Sequence, residues 1–312
     1  MGRWHFHRLD AAAAAEPFRA MTFPRFRSRL RELGPESPVA AVGLTEAAEA
    51  TEAIPVGLAL AVCGTEDGRA ADLLSLYVNP NYRGRGLGRR LLTAMEDQLE
   101  QRGMHRLNTV YMTRLPHLEA YEAVLRANGW SEPRRRMYVF RTDREHLEQA
   151  EWFHFFETPP AGVSIVPWTE ISVEAREELR QAIASPASVL PQDVNPFLFE
   201  GVGIDGSPQE PALSFGCVRG NEIIGWHLAH RIGSDAVRFS CSFIRPDLQE
   251  QLPLLTLWRH AFQQLGRHGY VHVSWAIAPH HEEMLRFNEH LLAPHVLDFD
   301  ETRGATKQLG SS

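Results

Sequence analysis

The sequence predicts an α/β chain of two similar domains, and three observations carry that expectation. Apolar runs of strand character alternate with stretches whose apolar residues recur at helical spacing. The same order of elements, strand, loop, helix, strand and helix, occurs before residue 142 and again after residue 235. The chain's 312 residues, 44% hydrophobic and 23% charged, are enough for two cores of ordinary size. From Pro80 to Tyr111 is 31 positions and from Pro246 to Ala276 is 30, so the repeat reads as an internal duplication.

The first copy runs as follows. Trp4 to Leu9 can start a strand, and Asp10 can cap a helix carried by the alanine run. A second helix is expected from Phe23 to Leu33, with Phe23, Phe26 and Leu30 at helical spacing and Arg25, Arg27, Arg29 and Arg31 around them. Residues 45–53 and 304–312 read as polar, mobile segments. The apolar run LLSLYV ending at Val78 is a strand that breaks into NPNYRGRGLGRRLL. A helix beginning near Gly88 puts Leu91, Leu92, Met95 and Leu99 on one face and Glu96, Asp97 and Glu100 on the other, with a stop at Gly103. The strand Arg106–Met112 follows, then a helix closing on Asn128-Gly129-Trp130.

The glycine-rich turn has the chemistry of a phosphate cradle. Gly84, Gly86 and Gly88 leave room for backbone N–H groups to approach an anion. The helix start adds its positive end, and Arg83, Arg85, Arg89 and Arg90 add forked cationic donors. No Lys-Ser/Thr follows the glycines and no acidic ribose reader lies on a following strand, so neither familiar nucleotide fingerprint fits.

Arg83, Gly86 and Gly88, preceded by Val78-Asn79-Pro80 and followed by the Gly129-Trp130 ending, resemble the acyl-coenzyme A loop of the GNAT N-acyltransferases over roughly residues 54–142. The resemblance implies that each domain is a mixed, mostly antiparallel twisted sheet flanked by helices. It implies an acyltransferase that uses acetyl-coenzyme A or a longer acyl-coenzyme A, bound by Leu76, Tyr77, Val78, Arg83, Gly84, Arg85, Gly86, Leu87, Gly88 and Arg89, with the main chain of Leu76 and Val78 pairing with the pantetheine arm. Aminolysis of a thioester calls for a base, an oxyanion hole and an acid for the leaving sulfur. The resemblance points to Asp72 as base, on a strand face expected to be shared with Leu74 and Leu76. Leu125 occupies the family's usual tyrosine position. Tyr121, one turn earlier, is the substitute acid, and His117 a second acid or base candidate.

The acceptor implied is a primary amine on a small molecule or a peptide. Acetyl transfer is the base case. The alternatives are fatty-acyl transfer to a Lys or ornithine side chain of a peptide, and a non-catalytic acyl-coenzyme A-binding regulator. The aromatic linker Trp152-Phe153-His154-Phe155-Phe156 reads as a seal between the halves or as a wall for a long acyl chain.

The second copy lacks the cradle, since Gln249, Leu252 and Leu254, with Glu250 between, stand at the positions of Arg83, Gly86 and Gly88. The expected organisation is therefore a GNAT acyltransferase domain at 1–145 with its loop at 82–90, a linker at 146–160, a degenerate GNAT-like domain at 161–303 and a flexible tail at 304–312.

Charge separates the halves. Residues 1–142 carry 20 basic and 16 acidic residues, and residues 143–312 carry 12 and 23. A basic first half suits a polyanionic cofactor, and an acidic second half suits a basic acceptor or a solvated surface. Lys307 is the chain's lone lysine. Basic residues form no stripe with interleaved aromatics, against a nucleic-acid partner. No apolar run reaches membrane-spanning length, and the expected location is the cytoplasm. Cys63, Cys217 and Cys241 suggest reduced thiols rather than a disulfide framework. His5 with His7, and His227 with His230, lack the partners or the common face of a metal site, so no metal is expected.

Overall fold

The computed structural model describes every residue except 1–3, 48–52, 66–67, 156–158, 186–187, 189, 191, 204–205, 251–252 and 311–312. The chain divides into two compact units, residues 1–136 with 301–312, and residues 137–300.

In the first unit the strands are β1 (Trp4–Arg8), β2 (Val39–Glu46), β3 (Ile54–Thr65), β4 (Ala70–Val78) and β5 (Arg106–Met112). The helices are α1 (Ala12–Ala15), α2 (Leu87–Gln101) and α3 (Leu118–Ala127). Strand β6 (Arg134–Asp143) begins here and continues into the second unit, and the last strand, β12 (Asp298–Gln308), begins in the second unit and ends here. The sheet order is β1-β2-β3-β4-β5-β12, antiparallel except for the parallel β4–β5 pair. One sheet face packs on Leu87, Leu91, Leu92, Met95 and Leu99 of α2 with Leu125 and Trp130. The other packs on Leu9, Ala15, Phe18, Leu30 and Leu33.

Several sequence expectations are corrected here. Residues 304–308 are no tail: they pair with Arg106–Val110, and Ala305 and Leu309 enter the core. The run GATKQ carries no strand-like apolar alternation, so only long-range pairing fixes it. Thr45 and Glu46 belong to β2, while residues 48–52 lie outside the described ones. Asp10 pairs with Arg8 at 2.5 Å instead of capping α1, whose N-cap is Ala11. Residues 23–33 form two 3-10 turns, Pro24–Phe26 and Arg29–Glu32, instead of one helix. Pro24 fits only a first turn, and the apolar residues are too few to bury a full helical stripe.

Glu96 also departs from its expected solvent face. It is 4% exposed, accepts from Trp130 Nε1 at 2.8 Å and meets Lys307 Nζ at 2.6 Å. The lone lysine of the chain thus ties β12 to α2.

The second unit holds the rest of β6, then α4 (Arg144–Glu148), β7 (Val163–Pro167), α5 (Val173–Ala184), β8 (Phe215–Arg219), β9 (Glu222–Arg231), β10 (Ala236–Ile244), α6 (Leu254–Leu265), β11 (His272–Ile277) and α7 (Glu282–Phe287), which runs on as a π-helical stretch to Leu292. Its sheet order is β6-β11-β10-β9-β8-β7, again with one parallel pair, β10–β11. The expected linker is not a separate segment. Leu147, Ala150, Trp152 and Phe153 lie in this unit's own core with Trp258, Phe262 and Trp275. Phe155 is exposed, and Phe156 is outside the described residues. Among the described residues no helix is long and apolar enough to cross a membrane. All three cysteines are free, and burial pushes the Cys217 and Cys241 thiols up to about 12.

Candidate active site

The site begins with an irregularity in β4. Ser75 pairs with Leu60 and Leu73 with Ala61, so Leu74 is an extra residue, a β-bulge. Side chains before and after the bulge therefore change faces. Ala71 and Leu73 pack toward α2 and α3, and so do Leu76 and Val78. Leu74 and Val62, the register partner of Asp72, pack on the opposite face. Asp72 thus shares a face with Leu74 but not with Leu76, which corrects the sequence expectation. Its Oδ1 accepts from Asn108 Nδ2 at 3.3 Å, across the β4–β5 pair.

That pair is short. It runs from Ala70 opposite Arg106 to Leu73 opposite Thr109 and ends there. Asn79 N–H bonds the Val56 carbonyl of β3 at 2.8 Å. By strand alternation the main-chain groups of Leu76 and Val78 point the other way, to the side where β5 has parted. Arg83 folds back over this edge, its Nε donating to the Val78 carbonyl at 2.9 Å and its guanidinium lying 5.9 Å from the Tyr77 ring centre.

Beyond β4, a 3-10 turn Pro80–Tyr82 is capped by Asn79, whose side chain accepts from Asn81 N–H. Gly84 and Gly86 have φ of 76° and 72°, the left-handed region where a side chain is strained. Helix α2 starts at Leu87, with Gly86 as N-cap. Its first helical bond is Arg90 N–H to the Gly86 carbonyl, so the N–H groups of Leu87, Gly88 and Arg89 precede the intrahelical ladder. They converge with the helix's positive end. Gly88 faces α3 and the end of β4: a Cβ there would make ordinary contact, 3.6 Å from Val124 and 3.9 Å from Val78. A shallow groove beside the turn is lined by Phe6, Gly86, Arg89, Arg90, Thr93 and Asp97, and Arg90 lies 4.8 Å over the Phe6 ring. Arg85 sits 5.5 Å over Tyr82, whose hydroxyl donates to Glu46 at 3.0 Å. This turn of forward-facing N–H groups with flanking arginines fits a pyrophosphate, and the open β4 edge fits an extended amide-bearing arm. Both are parts of coenzyme A.

Tyr121 reaches the point where the strands part. Its hydroxyl lies 2.8 Å from Thr109 Oγ1, and Thr109 Oγ1 is 3.4 Å from the Leu73 carbonyl. If Thr109 donates to Leu73, Tyr121 donates to Thr109. Burial pushes the Tyr121 phenol up to about 12, against a smaller opposing effect of the Thr109 bond, so it keeps its proton at neutral pH. Tyr111 stands edge-on to Tyr121 at 4.9 Å, and its own hydroxyl donates to the buried Glu122 at 3.0 Å. Arg303 of β12 donates to the same carboxylate at 3.0 Å. Burial, followed by the bond to Glu122, raises the Tyr111 phenol further. Sequence reasoning missed Thr109 and Glu122. The alternation of Leu107, Thr109 and Tyr111 toward one face was the signal available for Thr109.

The remaining candidates separate. Leu125 is fully buried in the core. His117 is the N-cap of α3, exposed, with φ of 64°. Asp72 and Tyr121 belong to opposite faces of the sheet at the same parting of β4 and β5. His227 and His230 bond to Ser242 and Ser240 separately, each at 2.8 Å, and His7 bonds to Thr45 at 2.7 Å.

The acetyltransferase (GNAT) family profile matches residues 9–125. Among solved structures, a tandem GNAT protein from the clavulanic acid biosynthesis pathway aligns with a TM-score of 0.66 at 18% identity, over 99% of this chain and 100% of that one. A GCN5-related N-acetyltransferase from Sphaerobacter thermophilus aligns at 0.61 and 14% identity, over 97% and 96%. A GCN5-related glucosamine N-acetyltransferase region of a fungal multi-domain β-N-acetylglucosaminidase aligns at 0.65 and 11% identity, over 98% of this chain and 38% of that one. No curated protein matches by sequence. The family profile thus falls within the first unit, and the whole chain shares the fold of a tandem GNAT protein.

Proposed function

We propose that the first unit is an N-acyltransferase that moves an acyl group, acetyl as the base case, from acyl-coenzyme A to a primary amine by direct attack. Acyl-coenzyme A supplies the thioester carbonyl and the thiolate leaving group. The N–H groups of Leu87, Gly88 and Arg89, the turn through Gly84 and Gly86, and the arginines Arg83, Arg85 and Arg89 hold its pyrophosphate. The main-chain groups of Leu76 and Val78 orient its arm, with Arg83 exchanging its hold on the Val78 carbonyl for the ligand. Tyr77 flanks this edge from the opposite face of β4.

The proton work divides across the sheet. Asp72 takes the ammonium proton from one face, directly or through water. Tyr121, a protonated phenol on the other face, donates to the departing sulfur or to the developing oxyanion. His117, exposed and one turn before Tyr121, is the weaker candidate. The observation that carries the reading is the Tyr121 hydroxyl bound at Thr109, the last paired position of β4–β5, beside a glycine turn that presents N–H groups. The N-acetyltransferases among the similar folds support acetyl as the base case. Trp152 and Phe153 fill the second unit's core, which removes the main support for an acyl-chain wall.

Thiol release from acetyl-, octanoyl- and palmitoyl-coenzyme A, measured against small amines and lysine-bearing peptides, tests the proposal. Amine-dependent release that falls in Tyr121→Phe supports it. Coenzyme A binding without release for any pair would favour the regulator reading.

A further inference from the structure

Outside the acyl site, the second unit gathers three metal-ligating side chains from segments that are distant in sequence. His280 Nε2 lies 3.1 Å from Asp193 Oδ2, and His281 Nε2 meets the same oxygen. One ligand atom from each residue lies within 4.8 Å of the others. We propose that Asp193, His280 and His281 form a binding site for a divalent transition-metal ion of the zinc class.

The spacing suits such an ion. Ligand atoms at ~2.0–2.1 Å from a tetrahedral zinc stand about 3.3 Å apart, near the His280 to Asp193 separation, while the closer His281 to Asp193 contact would open as an ion enters between them. Two imidazoles and one carboxylate match zinc, nickel, cobalt or copper and disfavour calcium and magnesium, which take oxygen donors. Three protein ligands leave a further position for water.

Both sides of the cluster are held in place. Asp193 sits in the 3-10 turn Gln192–Val194, and the Val194 carbonyl accepts from Trp226 Nε1 at 2.9 Å and from Cys241 Sγ at 3.1 Å. On the other side, His281 N–H bonds the Ala278 carbonyl at 3.0 Å, and the His281 carbonyl accepts from Leu285 at 2.9 Å as α7 begins. The two imidazoles lie with centroids 4.3 Å apart. Side-chain exposures of 71%, 33% and 43% for His280, His281 and Asp193 leave the cluster open to an ion from solvent. A bound ion would clip two segments 87 residues apart, closing a long loop. Sequence spacing alone shows nothing, because the His-His pair and its aspartate belong to different elements.

The test uses tag-free protein stripped of metal and titrated with cobalt(II), then zinc. The expected result is one equivalent bound with the visible ligand-field bands of four-coordinate cobalt, displaced by zinc, and a rise in the melting temperature. Asp193→Asn and His281→Gln should each weaken zinc binding by on the order of 100-fold, with unchanged circular dichroism. Failure to bind an equivalent, or retention of that equivalent at full affinity by the His280→Gln/His281→Gln double variant, would overturn the site. The second outcome would move the ion to other histidines, such as His5 and His7.

Discussion

In the first unit the parallel strand pair ends at Leu73 and Thr109, and in the second at Phe239 and Trp275, each displaced by 166 residues. The same offset relates the bulges at Leu74 and Ser240. It also relates two side chains that cap the edge carbonyl after the bulge: Arg83 on Val78 at 2.9 Å and Gln249 on Ile244 at 3.1 Å. Both units therefore keep the backbone device that opens a sheet edge. They differ in what fills it. Where the first unit has Thr109 holding Tyr121, the second has Trp275, packed edge-on against Trp258 at 5.4 Å and bonded to Asn288 at 2.8 Å. Leu87, whose N–H faces the cradle, corresponds to Pro253, which has no N–H, and Leu252 lies outside the described residues. The two units share a backbone frame and differ in the side chains and N–H groups they offer at its open edge.

The comparison extends to the cores. Glu96, buried and tied to Lys307 and Trp130, corresponds by the same offset to Phe262, a fully buried core residue. Glu96→Ala should leave Lys307 and Trp130 without their acceptor and destabilise the first unit by about 3–5 kcal/mol, read by denaturant unfolding. The Glu96→Leu/Lys307→Met pair should recover much of the loss. A double variant no more stable than Glu96→Ala would contradict the pairing.

Acid should unfold the second unit through a group that the first lacks. His227 is fully buried, stacked near Phe215 and edge-on to Phe239 at 4.4 Å, and burial lowers its pKa to about 3 from 6.5. Between those values the unfolded chain binds a proton that the folded unit does not, so stability falls as pH drops from 6.5 toward 3, by about 4 kcal/mol. Above pH 6.5 the residue contributes no slope. His227→Leu should flatten the pH dependence, and an unchanged slope would assign it elsewhere.

Tyr121→Phe removes the hydroxyl at the strand parting and should lower kcat by about 100-fold while leaving acyl-coenzyme A affinity near its original value. Thr109→Val, which keeps the shape and removes the anchor, should lower kcat less, and stopped-flow thiol release would separate the two. Gly86→Val has the smallest expected effect. Forcing a branched residue to a φ near 72° costs ~1–2 kcal/mol, so coenzyme affinity should drop by about ten-fold or somewhat more in equilibrium titration.

Much of the frame was legible in the sequence. The apolar run to Val78, the arginine-glycine turn, the α2 stripe and the strand after Gly103 all follow local rules of periodicity and capping, and the structure has them. What escaped depends on contacts between distant residues. GATKQ becomes a strand only because β5 offers an open edge, and Glu96 is buried only because Lys307 and Trp130 arrive to satisfy it. The bulge at Leu74 has no composition signal, so the faces of Asp72 and Leu76 were misassigned by counting alternate residues through it. Tyr121 was visible as a phenol one turn from the usual place. Its partner Thr109 became evident only when β5 and α3 were packed together.

Calorimetric titration of coenzyme A and acetyl-coenzyme A into the wild-type chain, Arg83→Glu and Gln249→Glu tests the division of labour most directly. The expected result is one equivalent per chain, with affinity lowered by at least ~100-fold in Arg83→Glu and unchanged in Gln249→Glu. Two equivalents, or full affinity in Arg83→Glu, would contradict the assignment of the ligand to the first unit's cradle.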